Sequence, residues 1–318
     1  MASIFLPEGI TFIYLFKMGL HTLVNFVVLS FLLAASASLN TEASAVKGMF
    51  LFKDVMQSNT TALKNSGFNA LIIFRIGVLA NGDLVYYSTG GAGEAVDAPV
   101  VTNGSYVGGS ALADKVKSFK TAPTGIDRVE ISMVSQDTTF QNIRSLIEAG
   151  GIGSNTTLYK SFDTLKAAWD LDAFNNDDES VYDVSSTVNF GKMLGAIGYK
   201  YSIAPYTNSS FWVNIKDQIN NATANLFDRV YLQVYDGGAS NDPGTWQDTL
   251  SMKVIPLVWV TNDAKPSEGT TVEQARTKFT NWYTQYQVGG GGYWNDYDIE
   301  KMNSSYTSYG SVLTDIFQ

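Results

Sequence analysis

The sequence predicts an α/β protein, a (β/α)8 TIM barrel with a long insertion after the second strand. Three observations carry that reading. Short β-rich apolar runs recur eight times with helix-patterned segments between them. Strand alternating with helix makes a parallel sheet, and eight strands close it. The 318 residues are 45% hydrophobic and 13% aromatic, enough for one large core, and a single domain of about 200–300 residues is ordinary for a barrel. The third observation is an acidic tract at the end of the fourth run, where barrel enzymes place their chemistry.

Taken in order, the chain begins with a leader. From Met18 an apolar run closes in small residues with the pattern Ala35-x-Ala37, which predicts a secretory signal over residues 1–37, cut near Ala37. A signal-anchor is the competing reading, because residues 4–16 are also largely apolar, and a start at Met18 instead of Met1 weakens it. Residues 38–318 then form a single barrel domain. Strands are predicted at Gly48–Lys53, Ala70–Ile76, Arg128–Val134, Trp169–Asp177, Tyr199–Pro205, Arg229–Tyr235, Lys253–Val260 and Gly291–Asn295. Helical stretches between them include Thr138–Glu148, Ser186–Ile197, Phe211–Leu226 and Thr271–Tyr286; in the first, Phe140, Ile143, Ile147 and, one turn earlier, Gln136 share a stripe. The connection over residues 77–127 is too long for a plain repeat. It predicts a hairpin turning at Asn81-Gly82, then a Gly-rich stretch from Gly90 to Gly109. Following a strand, this insertion belongs on the catalytic face and is expected to wall a cleft. Gly90-Gly91-Ala92-Gly93 opens no helix and lacks a following Lys-Ser/Thr, so it reads as a flexible loop and not as a phosphate cradle.

Charge and residue inventory narrow the chemistry. A net charge of −9 argues against nucleic acid and anionic membrane as partners. With the leader removed, no stable membrane insertion is expected, and the protein is expected to be a monomer. There is no cysteine, and the only histidine, His21, lies in the leader. A histidine base, a thiol nucleophile and a Cys/His zinc site are therefore unavailable, no cofactor or metal is implied, and acid–base work falls to carboxylates. Asn59, Asn103, Asn155, Asn208, Asn221 and Asn303 each begin an Asn-x-Ser/Thr sequon, consistent with an exported, extracellular glycoprotein. Without disulfides, its stability must come from the core.

In the acidic tract, Asn175, Asp177 and Glu179 stand at i, i+2 and i+4 and share one face of an extended strand. Beside one another over a pocket, two carboxyl groups are a proton-transfer device, because repulsion and partial burial separate their pKa values. The same tract also reads as a solvated turn or helix N-terminus. A calcium loop fits poorly, since the sixth-position glycine and closing bidentate glutamate are missing.

At this point the sequence resembles glycoside hydrolase family 18, the chitinases and endo-β-N-acetylglucosaminidases, whose fourth strand ends in DxxDxDxE. Asp172, Asn175, Asp177 and Glu179 occupy those positions, with asparagine at the second. Gln233-Val234-Tyr235-Asp236-Gly237-Gly238 looks like the family's MxYDxxG with Gln for Met, and Gly289 to Trp294 is similar to its GGxxxW. The third strand departs from the family, its SxGG position reading Ser132-Met133-Val134-Ser135.

The resemblance implies a retaining glycosidase acting on β-1,4-linked N-acetylglucosamine, in chitin-type polymers or N-glycan cores, through substrate assistance. The sugar's own acetamido oxygen attacks the anomeric carbon, so two carboxyl groups about 7 Å apart along one strand suffice. Glu179 would be the acid and base, Asp177 would orient the acetamido N–H, and Tyr235 would bond its oxygen. Asp236 is implied as a sugar-hydroxyl contact and Trp294 as the floor on which the sugar stacks. Asn175, grouped with the substrate-binding residues, can donate to Asp177 but cannot take its proton, which would leave Asp177 more readily ionised. The alternative is a chitinase-like lectin that binds such sugars without turnover; retention of Glu179 separates the two. Trp169, Trp212, Trp246 and Trp259 each read equally as subsite or core residues.

Overall fold

Strands β1 (Val46–Leu51) and β2 (Ala70–Phe74) pair in parallel, with the short helix α1 (Thr60–Lys64) between them. The computed structural model describes residues 44–89, 95–134 and 138–318. After β2 the chain leaves the sheet for a four-stranded antiparallel layer, β3 (Ile76–Val78), β4 (Leu84–Thr89), β5 (Ala95–Thr102) and β6 (Ser105–Tyr106). Helix α2 (Ser110–Ser118) leads back to β7 (Arg128–Val134), which pairs with β2. The strands that follow are β8 (Ala173–Asp177), β9 (Lys200–Ile203), β10 (Phe227–Gln233), β11 (Ile255–Trp259) and β12 (Gly290–Trp294). β12 lies beside β1 and closes an eight-stranded parallel barrel. The predicted (β/α)8 architecture, with its insertion after the second strand, is the one observed.

Helices α3 (Thr139–Gly150), α4 (Thr157–Trp169), α5 (Val184–Ile197), α6 (Ser209–Ala222), α7 (Pro243–Leu250), α8 (Val272–Tyr286), α9 (Asp296–Lys301) and α10 (Tyr306–Ile316) fill the connections. Their starts follow the capping rules. The Thr156 side chain accepts from the Tyr159 N–H at the head of α4, and Thr271 with Gln274 forms a reciprocal capping box on α8. On α3 the predicted stripe of Phe140, Ile143 and Ile147 is buried. Its fourth member, Gln136, lies outside the described residues, as do residues 1–37 with their predicted signal, His21, and the Gly90–Gly93 loop.

Two expectations are corrected. The fourth strand does not begin at Trp169, because Leu158, Phe162, Leu165 and Trp169 repeat at helical spacing and bury one face of α4; the chain turns at Asp170 (φ 52°) and β8 starts at Ala173. The insertion, expected on the catalytic face where it could wall the cleft, gives the cavity no lining residue among those described; it packs on α4 and, through Tyr87 of β4, bonds to Arg75 at the cavity wall. Trp169 meets Tyr86 edge-on at 5.6 Å and donates to the Tyr106 hydroxyl at 3.0 Å, while Thr164 donates to the Gly104 carbonyl at 2.8 Å. The stretch read as Gly-rich carries β5 and β6, which lie between its glycines.

Period-two alternation divides the core. On β8, Phe174 packs outward against Phe162, Phe190 and Tyr201, while Asn175 turns into the barrel with Ser132 and Ser202. One interior half is apolar, built from Val46, Phe50, Ala70, Ile72, Ile255 and Leu257. The other half is polar and centres on Glu130, which has no exposed surface. Glu130 accepts from the guanidinium of Arg128 at 2.7 Å, from the Tyr231 hydroxyl at 2.7 Å, and from the Ser202 hydroxyl. Arg128 also forms a fork with Asp228 at 2.6 and 2.9 Å. Burial pushes the Glu130 carboxyl up, but Arg128 and Arg229, with the Ser202 and Tyr231 hydrogen bonds, outweigh it and hold its pKa below the usual range.

Closure depends on a glycine. Gly290 has φ +142°, and a Cβ there would lie 2.0 Å from the Val46 carbonyl oxygen across the β1–β12 seam. Gly290→Ala is expected to destabilise the fold by about 2–3 kcal/mol through strain and steric overlap. Denaturant unfolding of the variant checks this, and an unchanged midpoint would contradict it.

Candidate active site

The C-terminal ends of the strands surround a cavity of about 490 Å3. Phe74, Arg75 and Trp294 line it on the β2–β12 side together with Phe52, which follows β1. Asp177 and Glu179 face it from β8, Gln233, Tyr235, Asp236 and Gly237 from β10, and Trp259 from β11, with Tyr206 after β9. Acidic, tyrosyl and aromatic groups thus converge on one space. Five of the six sequence-predicted site residues, Asp177, Glu179, Tyr235, Asp236 and Trp294, are among them.

The exception is Asn175. It is fully buried and does not line the cavity; it lies in the polar rung beneath, where strand register sets Ser132, Asn175 and Ser202 side by side. Its carbonyl accepts from the Ser132 hydroxyl at 2.9 Å and its amide donates to the Ser202 hydroxyl at 2.9 Å. The expected donation to Asp177 is therefore replaced by sideways bonds, because a neighbour two residues along a strand is farther away than one on the adjacent strand. Ser132, the first residue of the third-strand tetrapeptide, gives one of these bonds, and Ser202 receives the other.

Asp177 takes its hydrogen bond from Gln233, whose amide nitrogen stands 3.0 Å from Asp177 Oδ1, 3.4 Å from Glu179 Oε1 and 2.8 Å from the Ala204 carbonyl. Sequence reading saw Gln233 only as a replacement for methionine; its place on the strand face of Tyr231 and Tyr235 was the available signal. Asp177 is 6% exposed. Burial, then the neighbouring Glu179 and Asp178, push its carboxyl well above the ordinary value, against the opposing pull of Gln233 and Arg75. Asn175, being neutral, adds nothing to that push; desolvation and the two neighbouring carboxyl groups set its direction.

The loop carrying Glu179 is built by Asp178. Its buried carboxylate accepts from the backbone N–H groups of Ser180 at 3.0 Å, Val181 at 2.8 Å and Tyr182 at 2.8 Å, which turns the chain after β8 and presents Glu179 to the cavity. Asp172, at the head of the same motif, sits at the far end of β8, paired with Lys120 at 2.9 Å and with the Val129 N–H at 2.8 Å. On the β10 side of the cavity, burial, followed by the charges of Asp177, Glu179 and Asp236, raises the Tyr235 hydroxyl well above its usual range, so it stays a neutral donor. No group among the described residues hydrogen-bonds that hydroxyl.

The floor is aromatic. Trp294 packs against Phe50, Phe52 and Phe74 at 5.7, 5.4 and 4.9 Å between ring centres. Trp259 is the one of the four uncommitted tryptophans that reaches the cavity, held by an indole N–H bond of 2.7 Å to Asp298; Trp169, Trp212 and Trp246 are core. Asp236 stands at the rim, half exposed and paired with Lys265 at 2.6 Å, a solvated contact that a ligand can exchange. Aromatic rings, a buried carboxyl beside a partly exposed one, and a neutral phenol on the same cavity suit a pyranose ring with a polar substituent.

No family model matches the amino-acid sequence, and no curated protein is similar to it. The architecture has relatives nonetheless. The chain is similar to the catalytic domain of a family GH18 chitinase from the fern Peteris ryukyuensis, with a TM-score of 0.56 and 15% identity over 85% of this chain and 98% of that one. A chitinase from Rhizomucor miehei superposes with a TM-score of 0.54 at 12% identity, over 85% and 99% of the two chains. An immunomodulatory active chitinase from Trichuris suis gives 0.55 at 12%, over 86% and 100%. The chain has the fold of the family 18 chitinases. At such identities the likeness is one of architecture, and the chitinase-like barrel spans nearly the whole of each relative.

The raised carboxyl of Asp177 makes a stability forecast. A group whose folded pKa lies above its unfolded value favours the folded state at low pH and loses that contribution as pH rises through the folded value. Asp177→Asn is therefore expected to raise the melting temperature by several degrees at pH 8, with the gain shrinking toward pH 4. A pH series of thermal melts on both proteins tests it, and a variant less stable at every pH would contradict it.

Proposed function

We propose that the protein is a glycosidase that cleaves β-1,4-linked N-acetylglucosamine by substrate assistance with retention of configuration. The observation that carries this reading is the joint placement of Asp177, Glu179, Tyr235 and Trp294 around one cavity. Glu179, the more exposed of the two carboxyl groups, protonates the leaving oxygen and afterwards takes a proton from water. Asp177, short of solvent and held by Gln233, meets the acetamido N–H, and the neutral Tyr235 hydroxyl donates to the acetamido oxygen as it attacks. No protein nucleophile is needed. The test is hydrolysis of chitooligosaccharides and high-mannose N-glycans by the wild type and by Glu179→Gln. The variant should lose about 10²–10⁴-fold in kcat, while sugar binding persists. Binding without turnover in the wild type would move the assignment to a lectin.

We further infer that the protein is exported, released from its leader and glycosylated. All six sequon asparagines, Asn59, Asn103, Asn155, Asn208, Asn221 and Asn303, are exposed, so each is open to a glycosyl transfer in the secretory route. Expression in a secreting eukaryotic cell should yield protein in the medium that loses mass on treatment with a peptide N-glycanase. Intracellular retention of an unmodified chain would overturn the inference.

A further inference from the structure

Arg75 follows β2 and is the only lysine or arginine lining the cavity among the described residues. Its backbone is fixed by reciprocal bonds to Tyr87 of β4: the Arg75 N–H donates to the Tyr87 carbonyl at 3.1 Å and the Tyr87 N–H returns the bond at 3.0 Å. Its guanidinium is fixed as well, standing 5.4 Å from the ring centres of both Phe74 and Tyr87. Phe74 in turn meets Trp294 edge-on at 4.9 Å, so the cation is referenced to the floor on which a sugar would lie. Yet its Nε, a buried donor, has no hydrogen-bond partner.

A buried N–H without an acceptor is costly, and two aromatic neighbours can hold a guanidinium plane without satisfying its edge. We propose that Arg75 is a substrate-binding residue whose guanidinium edge donates to an oxygen of the sugar seated over Trp294. The proposal rests on the glycosidase reading above and adds a recognition group to the same site. The acceptor it fits is a neutral hydroxyl or amide carbonyl oxygen: Asp177, Glu179 and Asp236 already line the cavity and disfavour a carboxylate or sulfate on the ligand. The guanidinium also opposes the upward push on the Asp177 carboxyl. A purely electrostatic role toward Asp177 would be met by any cation, whereas an oriented donor edge needs the planar fork.

The experiment is calorimetric titration of chitotetraose into Glu179→Gln protein, where turnover cannot obscure binding, and into the same protein carrying Arg75→Gln or Arg75→Lys. Both substitutions leave the backbone bonds to Tyr87 in place, and thermal melts verify that each variant is folded. Arg75→Gln should weaken binding roughly ten- to hundredfold, the worth of one or two charge-assisted hydrogen bonds, and Arg75→Lys should recover little of it. Affinity within twofold of the parent in Arg75→Gln overturns the proposal, and full recovery in Arg75→Lys reduces Arg75 to a counter-charge. If the Glu179→Gln parent itself binds no chitotetraose, the substrate reading fails before Arg75 is touched, and the proposal falls with it.

Discussion

A carboxylate with no access to water must be surrounded by donors, and Glu130 meets that demand inside the barrel. Its partners come from three other positions of the closed sheet: Arg128 two residues back on β7, Ser202 on β9 and Tyr231 on β10. Each is fixed by more than one bond, so the cluster ties strands that local propensity alone would only bring near each other. Ser202 is the hinge of the arrangement. By donating to Glu130 it is left to accept from Asn175, and that acceptance decides where the asparagine points. Removing any one member would leave a desolvated charge or dipole behind, a loss greater than the net worth of the bond.

Two carboxyl groups in one barrel interior are consequently driven in opposite directions. Glu130, ringed by guanidinium and hydroxyl groups, is held low; Asp177, one layer above the Asn175 rung, has other carboxyl groups for neighbours and is held high. Burial acts upward on both, so the difference lies in the partners. The site's acidity is set by which charges the scaffold brings within reach.

Much of this was legible in the sequence. Eight strands, the insertion point and five of six residues that line the cavity follow from short apolar runs and from motif order, because parallel strands buried on both faces leave unbroken apolar runs. What escaped reading was lateral. Asn175 was expected to address Asp177, its neighbour in sequence, and instead bonds to Ser132 and Ser202, which are remote along the chain and adjacent in register. Gln233 was read only as a replacement for methionine, and Arg75 and Tyr206 went unmarked, for the same reason: each acquires its role from a neighbour on another strand or loop. The start of β8 was misplaced because Trp169 suits a strand and a helix equally, and only its spacing from Leu158, Phe162 and Leu165 decides.

The split interior has a consequence for how this scaffold can change. Beneath the β7, β8 and β9 side, substitutions must arrive in compensated sets, since every polar member answers to another. Beneath β1, β2 and β11, the lining of Val46, Phe50, Ala70, Ile72, Ile255 and Leu257 has no polar partner to satisfy, and volume-conserving exchanges are tolerated there one at a time. Diversification, natural or designed, therefore has a permissive flank that ends at the aromatic floor and a conservative flank that ends at the carboxyl groups. Ligand preference can drift on the first while the proton-handling side stays where the buried charges hold it.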